Sequence, residues 1–280
     1  MTDKSNPYQV PTTGHVWDDN LAELVNPPPK WWMIGLHASW LLVVLYGLFY
    51  PMWPSLSGYT KGILGWTQIG EYKQDLQAIE AVRAKYEERL VTADAAGILA
   101  DQELRDYTVK SAKVLFGDNC AACHGGGGQG NPNFPVLADD DWLYGGDINA
   151  IQASIVNGRM GMMPAKGGAQ LSEAEIDQLA NAIAQGQPTS TPLFMEKGCF
   201  ACHGMDGKGM QALGSANLTD GIWRFSGTVE GIKYTIAHGV NDPSDKESRN
   251  AVMPTFGGTK LSETDIKKLA VYVHQLGGGQ

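Results

Sequence analysis

A pentapeptide occurs twice in the chain, as Cys120-Ala121-Ala122-Cys123-His124 and again as Cys199-Phe200-Ala201-Cys202-His203. The C-x-x-C-H spacing is that of a covalently attached c-type haem, in which two thioether bonds tether the porphyrin and the adjacent imidazole ligates iron. Residues three apart share one face of a helical turn, so both sulfurs can reach the vinyl groups while the histidine turns under the metal. The two motifs use all four cysteines of the chain. Two C-x-x-C pairs could instead supply the four thiolates of a zinc site. The histidine in each motif, the distance between motifs and a Met-Pro well downstream of each favour haem. A thioredoxin-like dithiol would want one pair beside a βαβ pattern, which the chain does not offer.

The sequence around the motifs is an internal duplication. Each copy has an opening helix ending in C-x-x-C-H, expected over residues 112–124 and 192–203, then a glycine-rich loop and a tryptophan, Trp142 or Trp223. A helix leading to a glycine follows, over 148–158 and 229–239, then Met163-Pro164 or Met253-Pro254. Each copy closes with Leu-Ser-Glu and a last helix, the serine serving as N-cap and the acidic residues favouring the helix dipole. The expected fold class is therefore all-α: two tandem domains, residues 105–188 and 189–280, joined near 185–191. A copy this small has little core of its own, and the porphyrin would supply it.

Each haem that only carries electrons needs a second axial ligand. Methionine, a soft thioether, raises the potential relative to a second histidine. Met163 and Met253 are the candidates, because proline holds the preceding residue extended and so helps present the thioether from a loop. Met160 and Met162 lie close by but lack the proline, Met195, Met205 and Met210 have no counterpart in the first copy, and His238 reads as a loop histidine. Order along the chain pairs His124 with Met163 and His203 with Met253, although two similar domains on a short linker could exchange their methionine loops.

Ahead of the duplication, residues 1–30 read as polar and unstructured, with no signal-peptide pattern. Residues 31–53 carry no charge and are flanked by Trp31 and Trp32 on one side and Tyr50 and Trp53 on the other, the pattern of a single transmembrane helix in a lipid bilayer. A buried core helix is the alternative. His37 inside this span reads as a hydrogen-bonded neutral side chain rather than a functional group. Residues 54–104 are a linker holding an amphipathic helix near 68–91. Its acidic residues suit packing on protein better than on an anionic bilayer.

The 280-residue length allows about two domains and an anchor, and the net charge of −9 with no Lys/Arg stripe excludes nucleic acid as a partner. An acidic surface would suit a basic electron-transfer partner. Flanking charges do not orient the helix, so the haem motifs decide it: the C-terminal side must lie where haem is attached.

The helix introduced by Asn26-Pro27-Pro28-Pro29-Lys30-Trp31-Trp32, ending in Tyr50-Pro51 and followed by two C-x-x-C-H/Met-Pro domains, resembles the dihaem subunit of cbb3-type cytochrome c oxidases. The likeness runs from about His15 to the C-terminus. It implies two covalent c-type haems, bound through Cys120, Cys123, Cys199 and Cys202, with His124 and His203 proximal and Met163 and Met253 distal. It implies no catalytic residue, since oxygen is reduced elsewhere in such a complex. It also implies as partners a soluble periplasmic cytochrome c as donor, a monohaem subunit and a catalytic subunit with b-type haems and copper. The expected location is the bacterial inner membrane, single-pass, with the haem domains periplasmic. A free membrane-tethered shuttle, or the cytochrome subunit of a dehydrogenase, would share every haem residue. A dihaem peroxidase would need one open haem face, against which the doubled Met-Pro speaks.

Overall fold

The computed structural model describes residues 11–18 and 21–279 and divides into two compact units, Met1–Val82 and Arg83–Gln280. In the first unit, strand β1 (Thr12–Trp17) pairs antiparallel with β2 (Leu21–Leu24). The segment expected to be unstructured thus holds a hairpin, while residues 1–10 lie outside the described part. Helix α1 (Lys30–Phe49) follows directly on Pro29. Its 20 residues reach about 30 Å, the thickness of a bilayer's hydrocarbon core. Its apolar side chains are exposed on every side, Ile34, Trp40, Leu42, Val44 and Leu48 among them, as a lipid-facing helix requires and a core helix would not tolerate.

The helix stops short of the expected Trp53. Tyr50, held extended ahead of Pro51, cannot continue it, and a short strand pair, β3 (Pro54–Ser55) with β4 (Gly58–Tyr59), turns the chain. His37 Nδ1 lies 2.6 Å from the Met33 carbonyl of its own helix.

The amphipathic helix α2 (Gln68–Thr92) leads into the second unit. There α3 (Ala95–Ala100) is capped by Asp94, and α4 (Gln102–Asn119) by Asp101. Next come α5 (Ala121–His124), α6 (Ile148–Asn157, capped by Asp147), strand β5 (Arg159–Met160) and α7 (Glu173–Ala184). The second copy supplies α8 (Leu193–Glu196), α9 (Phe200–His203), α10 (Val229–His238, capped by Thr228), strand β6 (Val252–Met253) and α11 (Glu263–His274). Both closing helices open on a capping box, Ser172 with Glu175 and Ser262 with Asp265, which satisfies two otherwise orphaned amides each. The mostly helical class holds. The opening helices differ from expectation, since α4 breaks at Cys120 and the second copy keeps only the four-residue α8 before its motif.

The closing helices are exchanged between the copies. Helix α11 packs on α4 and α6, and α7 packs on α10. One core joins Leu104, Phe116, Ile151 and Ile155 of the first copy with Ile266, Leu269, Val271 and Val273 of α11. The other joins Ile176, Leu179 and Ile183 of α7 with Phe194, Ile232 and Ile236 of the second copy. The two copies are thus contiguous in sequence but not in packing. The short connection after α7 explains this, because it leaves that helix beside the copy it leads into, and α11 then fills the equivalent face of the first.

Side chains of α11 bury themselves at about 1.5–3 kcal/mol each, with Tyr272 packed 5.0 Å from the Phe116 ring. Lys267 Nζ donates to the Leu90, Val91 and Ala93 carbonyls at the end of α2, and Lys268 pairs with Glu87 at 2.7 Å. Helix α7 is held to the second copy by Lys197–Glu175 at 2.7 Å and by Lys233–Asp177.

Hydrogen bonds from Lys197 and Ser172 hold the Glu175 carboxyl at about 2 against an ordinary 4.5. A carboxyl depressed in the folded state stabilises it above the unfolded-state pKa and loses that contribution as pH falls through the folded one. Docking of α7 should therefore weaken between about pH 4.5 and 2. Glu175→Gln should remove this part of the acid-unfolding profile followed by circular dichroism; an identical profile would show the pair to be idle.

Candidate haem-binding sites

Helix α4 ends where Cys120 leaves helical geometry (φ −121°, ψ −35°), and the single turn of α5 carries Cys123 and His124. In the second copy Gly198 and Cys199 lead into the matching turn α9. The amide of His124 bonds to the Cys120 carbonyl at 2.9 Å and that of His203 to Cys199 at 3.0 Å. Each turn therefore presents its two sulfurs and its imidazole together.

Each imidazole is aimed by a backbone carbonyl. His124 Nδ1 lies 3.0 Å from the Pro135 oxygen and His203 Nδ1 2.9 Å from that of Ala216. Such a contact places the proton on Nδ1 and leaves Nε2 free to ligate a metal. Burial draws both imidazoles below the usual histidine range, against the opposing pull of those carbonyls, and keeps them neutral as ligation demands. Burial, with Cys123 adding to it, pushes the Cys120 thiol up to about 11, and burial also raises that of Cys199. Among the described residues, no group of three or more His, Cys, Asp and Glu could hold a metal ion, so the four-cysteine zinc site is not assembled. The residues fit two covalently held haems.

The methionine loops follow the exchanged helices. Strand β6, with Met253, pairs with β5: Met253 is registered with Arg159 and Val252 with Met160. Met253 packs against the same core as Cys120 and Trp142 of the first copy. Met163 instead exchanges both backbone hydrogen bonds with Val240 of the second copy, at 2.9 and 2.8 Å. Chain order, which paired His124 with Met163 and His203 with Met253, is thus crossed by the packing, because each methionine travels with the closing helix behind it.

The glycines that end α6 and α10 make this possible. Gly158 (φ +68°) and Gly239 (φ +73°) are in the left-handed region. A Cβ would stand 2.5 Å from the Met253 carbonyl at the first and 2.2 Å from the Met163 carbonyl at the second.

Met160 and Met162 stand exposed, 70% and 64%, as do Met205 and Met210. His238 is held by Asp245 at 3.0 Å and by Glu247 at 3.2 Å. The carbonyls of Pro135 and Ala216 were invisible to sequence reasoning, since any residue supplies a carbonyl and the loops from His124 and His203 to them differ in length. Arg224 was missed too. It reaches from the second copy to the Asn133 carbonyl at 3.2 Å, and its charge adds to the lowering of His124. Arg159 lies 4.4 Å over the Tyr144 ring.

Fold and sites define a dihaem c-type cytochrome, mostly helical, with one helix among the described residues long and apolar enough to cross a membrane. Three family models match successive parts of the chain. They are the N-terminal domain of cytochrome oxidase-cbb3 FixP over residues 9–57, cbb3-type cytochrome c oxidase subunit III over 108–181, and cytochrome c over 191–277. The chain is 40% identical to the cbb3-type cytochrome c oxidase subunit FixP of Azorhizobium caulinodans, over 96% of this chain and 94% of that one. It is 35% identical to subunit CcoP of Cereibacter sphaeroides, over 99% and 98%, and 36% identical to FixP of Bradyrhizobium diazoefficiens over the whole of both. The chain belongs to the FixP/CcoP family of cbb3-type cytochrome c oxidase subunits.

Gly239→Ala should force the Met163 carbonyl away and strain the backbone, at about 1–3 kcal/mol. The expected outcome is a lowered Tm together with loss of the methionine-to-iron absorption of one haem; unchanged values in both would mean the close approach is not required.

Proposed function

We propose that this chain relays electrons as the dihaem, membrane-anchored subunit of a cbb3-type oxidase, with its haem domains on the periplasmic side and its methionine ligands crossed between the copies. It is an electron-transfer component of the oxidase and not itself the oxygen-reducing catalyst, and as a subunit of that complex it serves a catalytic partner. The finer assignment is a soluble periplasmic cytochrome c as donor, with a monohaem subunit and a catalytic subunit holding b-type haems and copper as onward partners. The periplasmic side follows from covalent haem attachment, which bacteria carry out outside the cytoplasm.

Cys120 and Cys123 would hold one haem and Cys199 and Cys202 the other. Bound there, each haem supplies one-electron ferric/ferrous chemistry. His124 and Met253 would then ligate the first iron, His203 and Met163 the second. The carbonyls of Pro135 and Ala216 keep the proximal imidazoles in one tautomer and one orientation. Half-burial limits water at both ligand sets, and a thioether opposite each histidine favours the reduced state over a second imidazole.

The observation that carries this reading is the doubled set itself: two oriented imidazoles and two Met-Pro loops seated on the opposite copies. A nitrogen and a sulfur on every iron would leave no open coordination position, which suits conduction and speaks against a peroxidase.

The crossed ligation is separable from the local one. In a variant lacking the second attachment site (Cys199→Ser with Cys202→Ser), the remaining haem should keep its methionine-to-iron absorption when Met163→His is added and lose it when Met253→His is added. The reverse would restore chain-order pairing. Mass spectrometry of the unaltered protein should find two haems added to the chain, and a lone chain purified without b haem or copper would favour a free shuttle.

A further inference from the structure

The two methionine loops are fastened by different means. Around Met253 the fastening is largely backbone. Besides the β5–β6 pairing, the Phe256 amide bonds to the Ile155 carbonyl at 3.1 Å and the Gly257 amide to that of Val156 at 2.9 Å, with Thr255 Oγ1 donating to Val156 at 2.6 Å. Around Met163, side chains of the second copy take over, and they come from a stretch that the first copy lacks. Between Gly158 and Met163 the chain is short, whereas between Gly239 and Met253 it carries the insertion 241–249.

That insertion grips alternate residues of the Met163 loop. Asn241 Nδ2 donates to the Gly161 carbonyl at 2.6 Å, Val240 takes both backbone groups of Met163, and Asp242 Oδ2 accepts the Ala165 amide at 2.7 Å. Pro164, between the last two anchors, has no amide to offer, so the three contacts fix the backbone on both sides of the thioether residue.

The gripping side chains are themselves locked. Asn241 sits at φ 51°, a conformation asparagine tolerates, with Oδ1 accepting the Ala251 amide at 2.8 Å and its own amide bonded to the Arg249 carbonyl at 2.7 Å. Asp242 Oδ1 accepts the Ser244 amide at 2.8 Å and the Ser244 hydroxyl at 2.6 Å, and its amide donates to Ser248 Oγ at 2.9 Å. His238, held by Asp245 and Glu247, pins the outer arm of the same loop to α10.

From this we infer that the 241–249 insertion is a clamp, with Asn241 and Asp242 as positioning residues that keep Met163 on the second iron, Asp242 bonding to the Met163 loop alone of the two methionine loops and Asn241 also tying down Ala251 ahead of Met253. The inference rests on the proposal that Met163 is an iron ligand of the second haem. Its physical content is that a distal thioether is a weak ligand, competed off by any stronger base unless its backbone is held in place. A loop anchored at three alternate residues pays less entropy to stay bound than a free one.

The test is a spectroscopic imidazole titration of the oxidised full-length protein in its complex, comparing Asn241→Gly, Asp242→Asn and Lys246→Ala with the unaltered chain. Lys246 lies in the same loop and makes no hydrogen bond or ion pair among the described residues. Asn241→Gly keeps the backbone conformation and removes the bonds, and covalent haem content by mass reports that each variant has matured. Asp242→Asn should bind imidazole about tenfold more tightly at one haem, the weight of one charge-assisted hydrogen bond, and Asn241→Gly at least as much more tightly at that same haem. That haem should be the one whose methionine absorption Met163→His abolishes, with Lys246→Ala unchanged. If Met163→His removes one methionine signature while both clamp variants titrate like the unaltered chain, or Asp242→Asn shifts the haem governed by Met253, the clamp is wrong and the ligand assignment stands. If Met163→His leaves both signatures intact, the ligand assignment itself has failed.

Discussion

Met163 and Val240 exchange both of their backbone hydrogen bonds, and the arrangement of the larger unit turns on that short pairing and its counterpart between Met253 and Arg159. A methionine can reach a metal only where its backbone is allowed to lie. Here each lies along the end of a helix from the opposite copy, at a glycine whose missing side chain leaves the room. Because a closing helix follows each loop along the chain, the location of the loop and the location of the helix are a single choice. The two hydrophobic cores, the ion pairs of α7 and the lysine contacts of α11 all express that choice.

The exchange also changes what a copy is. Two independent haem domains on a linker would move relative to each other and vary the distance an electron must cross. Copies that each hold a Met-Pro loop and a closing helix of the other are coupled by buried apolar surface, so opening one disturbs the other. For a relay this suits function, since hopping needs a fixed separation. The carbonyls behind His124 and His203 serve the same end at smaller scale, holding each ring in one orientation.

Much of this was legible in the residues. The C-x-x-C-H pairs, the Met-Pro pairs and the Ser172 and Ser262 caps are local signals whose physics lies within a few residues, and the structure forms those turns and caps where expected. Composition alone marked α1, and even its early stop was available in Tyr50-Pro51. The exchange was not legible. Periodicity in α7 and α11 says that one face of each is buried, not which partner buries it, and duplicated partners offer nearly equivalent faces. Nor could sequence reveal backbone acceptors such as Pro135 and Ala216, or the hairpin at Thr12–Trp17, whose polar, glycine-containing strands carry little alternation.

One consequence of the exchanged helices concerns time. Ribosomes deliver this polypeptide from its amino end, so Cys120, Cys123 and His124 emerge long before Met253 and the helix that seals their core. The first motif to be made is thus the last to have its core closed, its turn waiting half-dressed while the whole second copy is made. A message cut short near its end would spare the core of the second copy and leave that of the first open, the opposite of what reading order suggests.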